Sequence, residues 1–316
     1  MDADGGVVGG GLRAVWRAPV AERWAGRRPL WWTVGPAGDL AVLLVRRRHL
    51  RRGRHVKGWV GWSPRTPFDG LLLIRRADGS SERRSLAGVP LAPAHIALLP
   101  DGRLLTAAGR ARRDDTTGEW RPNALLWAAD GVPRGAGCLG DDIEVLVTDR
   151  GGRVWTAHGD EGMRGGHPES TAGLAGWSAE GRPVWGPRGR LPDVPLRGRA
   201  AATEGEHVWF VRSSGGGDGE TYLTRVTPAT GETTSRRSPV PAPDGFAVRG
   251  ARAVFTRREH GRHAVEVVRA RLVDGAWTVT GCSRARVPGR VVPHCGQGRD
   301  GALWLRAGDA WLSVDA

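Results

Sequence analysis

The stretch VTDRGGRVWTAHGDEG, Val147 to Gly162, ends in three side chains that could act on a proton together: His158, Asp160 and Glu161. A carboxylate beside an imidazole can poise a proton near neutral pH, so these residues form a candidate catalytic acid–base set, with His294 as the alternative imidazole. The same five letters, HGDEG, also fit a turn in which Asp160 caps backbone N–H groups and Gly162 supplies positive φ. A divalent metal is the second chemistry. It would take His95, His294 and a carboxylate from Asp142, Glu144 or Asp160, a donor set suited to zinc or another first-row ion. No HxH or HExxH pattern marks such a site, and no nucleophile elbow is present. The glycine-rich SSGGGDGE, Ser213 to Glu220, precedes a strand and not a helix, so it reads as an inter-strand loop and not a phosphate cradle.

The elements that must hold these residues recur along the chain. LLPDGRLLTAAGR near Gly102, VTDRGGRVWTAHGD near Gly152, ATEGEHVWFVRSS near Gly205, VRGARAVFTRRE near Gly250 and GRDGALWLRAGD near Gly301 share one pattern, with VGPAGDLAVLLVRRR near Gly38 a weaker copy. Each is an apolar strand, a glycine turn and a second apolar strand, which is a hairpin. A second turn series, at Gly79, Gly131, Gly181, Gly231 and Gly275, interleaves with the first. The combined period of about 50 residues matches four short antiparallel strands per unit. The last unit runs out after its third strand, DAWLSVDA, and Leu12 to Arg17 precedes the first unit as an unassigned strand. The expectation is an all-β chain forming one domain over 1–316: a six-bladed β-propeller of four-stranded antiparallel blades, its ring closed by the N-terminal strand. An Arg- and Trp-rich insertion at 46–68, carrying Trp59 and Trp62, would form a solvated loop or a lid.

The segments PDGRLL, GGRVWTAHGDEG and DGALWL resemble the six-bladed propellers of the NHL and gluconolactonase type. DIEVLVTDRGGRVWTAHGDEG resembles more closely a group of functionally uncharacterised bacterial propeller proteins with Asp-Glu-Gly after this strand. The repeat pattern covers most of the chain, and the specific match covers Asp142 to Gly162. Gluconolactonase-like enzymes place carboxylate or carboxamide metal ligands at the channel entrance. The corresponding positions here are Ala94 and Pro293, whose side chains cannot ligate, so the resemblance does not extend to lactonase chemistry.

In a propeller the first strand of each blade lines the channel, and residues before it share a face with residues after the second strand. This rule gathers Trp31, Trp32, His95, Asp142, Glu144, His158, Asp160, Glu161, Arg199, Arg212, Asp244, His260, His294 and Cys295 around one mixed-charge pocket for a ligand. Trp59, Trp62 and Trp120 would be aromatic anchors on its rim.

Charge and composition narrow the partners. The net charge is +14, but Lys57 is the only lysine and the arginines are scattered, as a GC-rich coding bias would scatter them, so nucleic acid is not the expected partner. Three cysteines without CxxC spacing give neither a disulfide framework nor a structural zinc site. No apolar run is long enough for a membrane helix. The expectation is a cytoplasmic, monomeric module that binds a small molecule, peptide or protein. Its rival is a hydrolase or lyase working in the same pocket, with or without a divalent metal.

Overall fold

A computed structural model describes residues 7–52, 61–187, 189, 191–193, 195–215, 220–259, 263–292 and 296–316, with only the backbone described at residues 7 and 8. Strands dominate. The described helices are short, Val20–Trp24 and Asp160–Arg164 with two single 3-10 turns, and none is long and apolar enough to cross a membrane. The chain divides into two compact units, one of Pro19–Arg188 and one of Met1–Ala18 with Gly189–Ala316.

The unit Pro19–Arg188 holds three four-stranded antiparallel sheets, each folded in chain order. They are Arg27–Val34, Leu40–Arg46, Phe68–Arg75 and Ser81–Val89; then His95–Leu98, Leu104–Ala107, Ala124–Trp127 and Pro133–Gly137; then Ile143–Thr148, Val154–His158, Leu174–Trp177 and Pro183–Trp185. The turn of the third sheet shows why glycine punctuates the repeat. Gly152 sits at φ 82°, a backbone region that side chains disfavour. The period is visible inside the sheets as well. Trp127 Nε1 donates to Thr106 Oγ1 at 3.0 Å, and one repeat later Trp177 Nε1 donates to Thr156 Oγ1 at 2.9 Å. Each bond gives a buried indole N–H its partner and pins the third strand to the second. Successive sheets share apolar cores. Leu30, Trp31, Leu43, Leu72, Ile96 and Trp127 pack in one, and Leu105, Ile143, Leu146, Val154 and Trp177 pack in the next.

Two ribbons extend the connections of this unit. Leu50–Arg52 pairs with Trp62–Pro64 in the 46–68 insertion, and Trp62 lies 4.6 Å from the Arg28 guanidinium carbon. Trp59 lies outside the described residues. The second ribbon, Arg112–Arg113 with Trp120–Arg121, projects between the second and third strands of the middle sheet.

In the other unit a four-stranded sheet runs Gly245–Arg249, Arg252–Arg258, Ala264–Val273 and Ala276–Arg286, and a nine-stranded sheet takes, in spatial order, Val7–Gly9, Leu12–Arg17, Ala310–Asp315, Ala302–Ala307, Gln297–Arg299, Pro195–Glu204, His207–Ser214, Thr221–Thr227 and Glu232–Arg237. Within the nine-stranded sheet Gln297–Arg299, Ala302–Ala307 and Ala310–Asp315 pair in succession, and Leu12–Arg17 pairs with Ala310–Asp315. One departure from the expected channel is clear. Ala201–Thr203 pairs in parallel with Gln297–Arg299, so these two first strands bond to each other and do not line an opening between them. Glycines permit the approach: a methyl at Gly298 would collide with Phe246 and Ala202, and one at Gly296 would stand 2.5 Å from the Gly245 α-carbon.

Candidate functional site

Three connections meet at one end of the middle and third sheets of Pro19–Arg188. They are the ribbon-bearing segment 108–123, the crossover 138–142 leading into Ile143–Thr148, and the segment 159–173 leaving Val154–His158. Arg110 ties them together. Its Nε and Nη2 reach the two carboxylate oxygens of Asp141 at 2.8 and 3.1 Å, and its Nη1 pairs with Glu161. The Asp141 side chain is almost wholly buried and also accepts the Ala111 N–H at 2.9 Å. Burial alone would raise its pKa, but Arg110 and that N–H outweigh it and hold the carboxyl below its usual range. The Arg110 guanidinium is correspondingly raised, chiefly by its bond to Asp141.

His158 lies in the middle of this construction with no solvent exposure. Its Nδ1 is 2.8 Å from the Asp141 carbonyl, and its Nε2 is 3.0 Å from Thr156 Oγ1. The carbonyl can only accept, so Nδ1 donates to it and Nε2 accepts a hydrogen bond from the Thr156 hydroxyl. Both ring nitrogens are therefore spent within the fold. This corrects the expectation that His158 shares a mobile proton with Glu161: the ring braces the crossover, while the Glu161 side chain is 65% exposed on the rim. The HGDEG stretch is also not the expected turn: Asp160 and Glu161 open a single turn of helix, Asp160–Arg164, behind Gly159, and Gly162 lies within it and not at positive φ.

Asp142 and Glu144 converge above Gly159, where a methyl group would collide with the Asp142 carboxylate and stand 2.9 Å from Glu144 Oε1. Asp142 reaches this position through a left-handed backbone, φ 50°, and its carbonyl accepts the Gly159 N–H at 2.8 Å. His95 stands at the edge of the middle sheet with Nε2 2.9 Å from the Ile143 carbonyl. Burial lowers its pKa, against the opposing pull of that carbonyl.

Other expected site residues lie elsewhere. Trp31 and Trp32 are buried, and Trp31 belongs to the apolar core stacked on Phe68, with centroids 6.2 Å apart. A large indole at that strand position fills the sheet interior and is not a ligand contact. Arg199, Arg212 and Asp244 belong to the other unit. Arg199 donates to Ser213 Oγ at 3.0 Å, Asp244 accepts the Arg258 N–H at 2.8 Å, and the wholly buried Arg212 donates from Nε to Thr224 Oγ1 at 3.0 Å beneath the Tyr222 ring. His260, His294 and Cys295 lie outside the described residues. Among the described residues, no group of three or more His, Cys, Asp or Glu side chains could hold a metal ion.

The sequence reading also missed polar partners that the connections bring together. Cys138 Sγ lies 3.3 Å from His167 Nε2, and Trp120 packs on the His167 ring with centroids 4.9 Å apart. The signal for Trp120 was its place in an inter-strand segment. Cys138 and His167 offered none, because two loops distant in sequence supply them.

No protein-family model matches the chain, and no curated protein matches it significantly. Solved structures of propeller-type proteins are similar to it in their overall course. An inactive H270A virginiamycin B lyase from Staphylococcus aureus is 12% identical over 96% of this chain and 99% of its own, with a TM-score of 0.46. A streptogramin B lyase is 12% identical over 90% and 92%, at 0.44, and a luciferin-regenerating enzyme 9% identical over 92% and 91%, at 0.47. Likeness at this level assigns no activity, and the all-β organisation rests on the strand pairings themselves.

Proposed function

We propose that the end of the sheets built from 108–123, 138–144 and 159–173 is a binding face for a small molecule or peptide, and that the protein acts as a binding module. The observation that carries this reading is the Arg110 clasp, which joins connections from two sheets through Asp141 and Glu161. Loops held from within lose little freedom when a ligand arrives, so the surface is preorganised. The carboxylates of Asp142 and Glu144, with Asp160 and Glu161 beside them, favour a ligand with a cationic group even though the chain as a whole is basic. His95 edges the same surface. In this reading the four-stranded sheets and the two halves of the nine-stranded sheet are the blades of one six-bladed, NHL-like propeller with Leu12–Arg17 closing the ring, in a monomeric cytoplasmic protein.

A thermal-shift screen of tag-free protein against amines, amino acids, short peptides and divalent metals tests it, because a ligand that binds only the folded state raises the melting temperature. A shift lost in Glu161→Ala and in Asp142→Asn supports the face. A shift untouched by both substitutions moves the ligand elsewhere and overturns the assignment.

A further inference from the structure

We infer that Cys138, His167 and Glu169 form a nucleophilic thiol site that takes an acyl group from an ester or thioester and passes it to water. This goes beyond binding, and it rests on the proposed face only in that the acyl donor reaches the thiol at that same end of the sheets.

Cys138 follows the last strand of the middle sheet, Pro133–Gly137, while His167 and Glu169 come from the connection ahead of Leu174–Trp177. Sγ lies 3.3 Å from Nε2 of His167, and Nδ1, on the other edge of the ring, stands 3.3 Å from Oε2 of Glu169. Thiol, imidazole and carboxylate in that order form a relay. They do not form a chelate, because the ring separates the sulfur from the carboxylate. The His167 ring is 4% exposed and held between Trp120, at 4.9 Å, and Trp177, at 6.3 Å, so its orientation is fixed by packing. Its buried Nδ1 makes no hydrogen bond at rest, since Glu169 is near but out of line. A buried ring nitrogen left in that state is costly, and contacts of this kind tighten when substrate binds.

Cys138 is only half-buried, as a nucleophile must be, and its sulfur is free of disulfide bonding. Burial raises the thiol pKa, with the Gly140 N–H facing the sulfur in opposition, and burial lowers that of His167. The resting pair is therefore a neutral thiol and a neutral imidazole, with His167 as general base. His167 Nε2 takes the thiol proton as Sγ bonds to the carbonyl carbon. The bond from that carbon to the leaving oxygen or sulfur then breaks, and the leaving group departs with the proton. Water next gives a proton to Nε2 as its oxygen attacks the thioester. The carbon–Sγ bond breaks, sulfur recovers the proton and a carboxylic acid is released. Glu169 is a positioning residue that comes into line with Nδ1–H once substrate binds and meets the charge on the ring.

The probe is p-nitrophenyl acetate, applied to the full chain in a Cys282→Ala/Cys295→Ala background, with nitrophenolate release and acetylation mapped by mass spectrometry. Acetyl-Cys138 that forms and turns over, is absent in Cys138→Ala and forms about 100-fold more slowly in His167→Asn supports the site. Glu169→Gln should slow acetylation and move the His167 ring ¹⁵N shifts away from the Nδ1–H tautomer, with Glu169→Asp restoring part of the rate. If His167→Asn lowers the melting temperature, the two Glu169 variants carry the test. Acetylation no faster than that of a free cysteine peptide, or unchanged in His167→Asn and Glu169→Gln, overturns the inference. A ligand-induced thermal shift that survives in Cys138→Ala, with no acetylation in the parent, leaves the binding face standing and removes the thiol site. Acetylation without any ligand shift does the reverse.

Discussion

His158 donates from Nδ1 to the main-chain carbonyl of Asp141 at 2.8 Å, so a ring at the end of one strand anchors the crossover that enters its neighbour. Burial lowers this imidazole from its ordinary 6.5 to about 4, with the carbonyl pulling the other way. Between those values the unfolded chain binds a proton that the folded protein refuses, so stability rises with pH. The contribution of His158 is complete above 6.5 and is lost as pH falls towards 4, by roughly 3 kcal/mol. His95 and His167 are shifted in the same direction. Urea midpoints measured from about pH 7 down to about pH 4.5 should fall steadily. A flat profile would show that His158 is solvated and that the brace does not exist.

Gly140 is the backbone counterpart of that brace. It sits at φ 87°, and a methyl group there would stand 2.5 Å from both His158 Cε1 and Ser170 Oγ. Ser170 Oγ accepts the Asp141 N–H at 2.7 Å, so the neighbours cannot withdraw without losing bonds. Gly140→Ala combines an unfavourable backbone with overpacking and should cost about 3 kcal/mol. The drop in urea midpoint at pH 7 measures it, and a loss near zero would mean that the crossover shifts freely.

The repeat was readable because turns and strands are local. The interleaved glycines and the hairpins they close follow from short-range pattern, whereas the pairing of Leu12–Arg17 with Ala310–Asp315 was legible only because the last repeat lacks a strand, and the Thr106–Trp127 and Thr156–Trp177 bonds were not read at all. The site was readable only in part. Its end of the sheets follows from the HGDEG position, but side-chain roles depend on direction and on distant partners. Trp31 lies at a strand position whose side chain points into the core, and His158 points at a carbonyl 17 residues back. Arg110 meets Asp141 across 31 residues and Cys138 meets His167 across 29, separations at which sequence spacing carries no geometry. The pairing of Ala201–Thr203 with Gln297–Arg299 was hidden for the same reason.

Removing the Arg110 side chain leaves the buried Asp141 carboxylate with backbone N–H groups, that of Ala111 at 2.9 Å among them, and no cation. A buried charge stripped of its partner is expensive, but Arg110 is itself 55% exposed and water can replace part of its contact. Arg110→Ala should therefore cost about 1–2 kcal/mol, and Arg110→Lys should recover little because a point charge cannot match the two-pronged contact. Asp141→Asn in the Arg110→Ala background tests the cause: a double-mutant cycle showing no coupling between the two positions would remove the clasp as the organiser of these loops.

The strand Leu12–Arg17 lies at one end of the chain yet bonds along Ala310–Asp315, and Leu12 is fully buried in a cluster with Val267, Leu312 and Val314. Its side chain thus links the two last sheets of its unit, since Val267 belongs to Ala264–Val273. Truncation opens a cavity between sheets that cannot collapse without breaking strand pairing, so Leu12→Ala should cost about 3 kcal/mol. Arg13 offers the contrast. It is half exposed and bonds Ser313 Oγ at 3.1 Å, so Arg13→Ala should cost under about 1 kcal/mol. If the N-terminal strand were merely laid on the surface, the two substitutions would be equally mild in urea unfolding. A large cost at Leu12 beside a small one at Arg13 is the signature of a strand built into the sheet, and it predicts that hydrogen exchange at Ala310–Asp315 accelerates in Leu12→Ala before the rest of the unit opens.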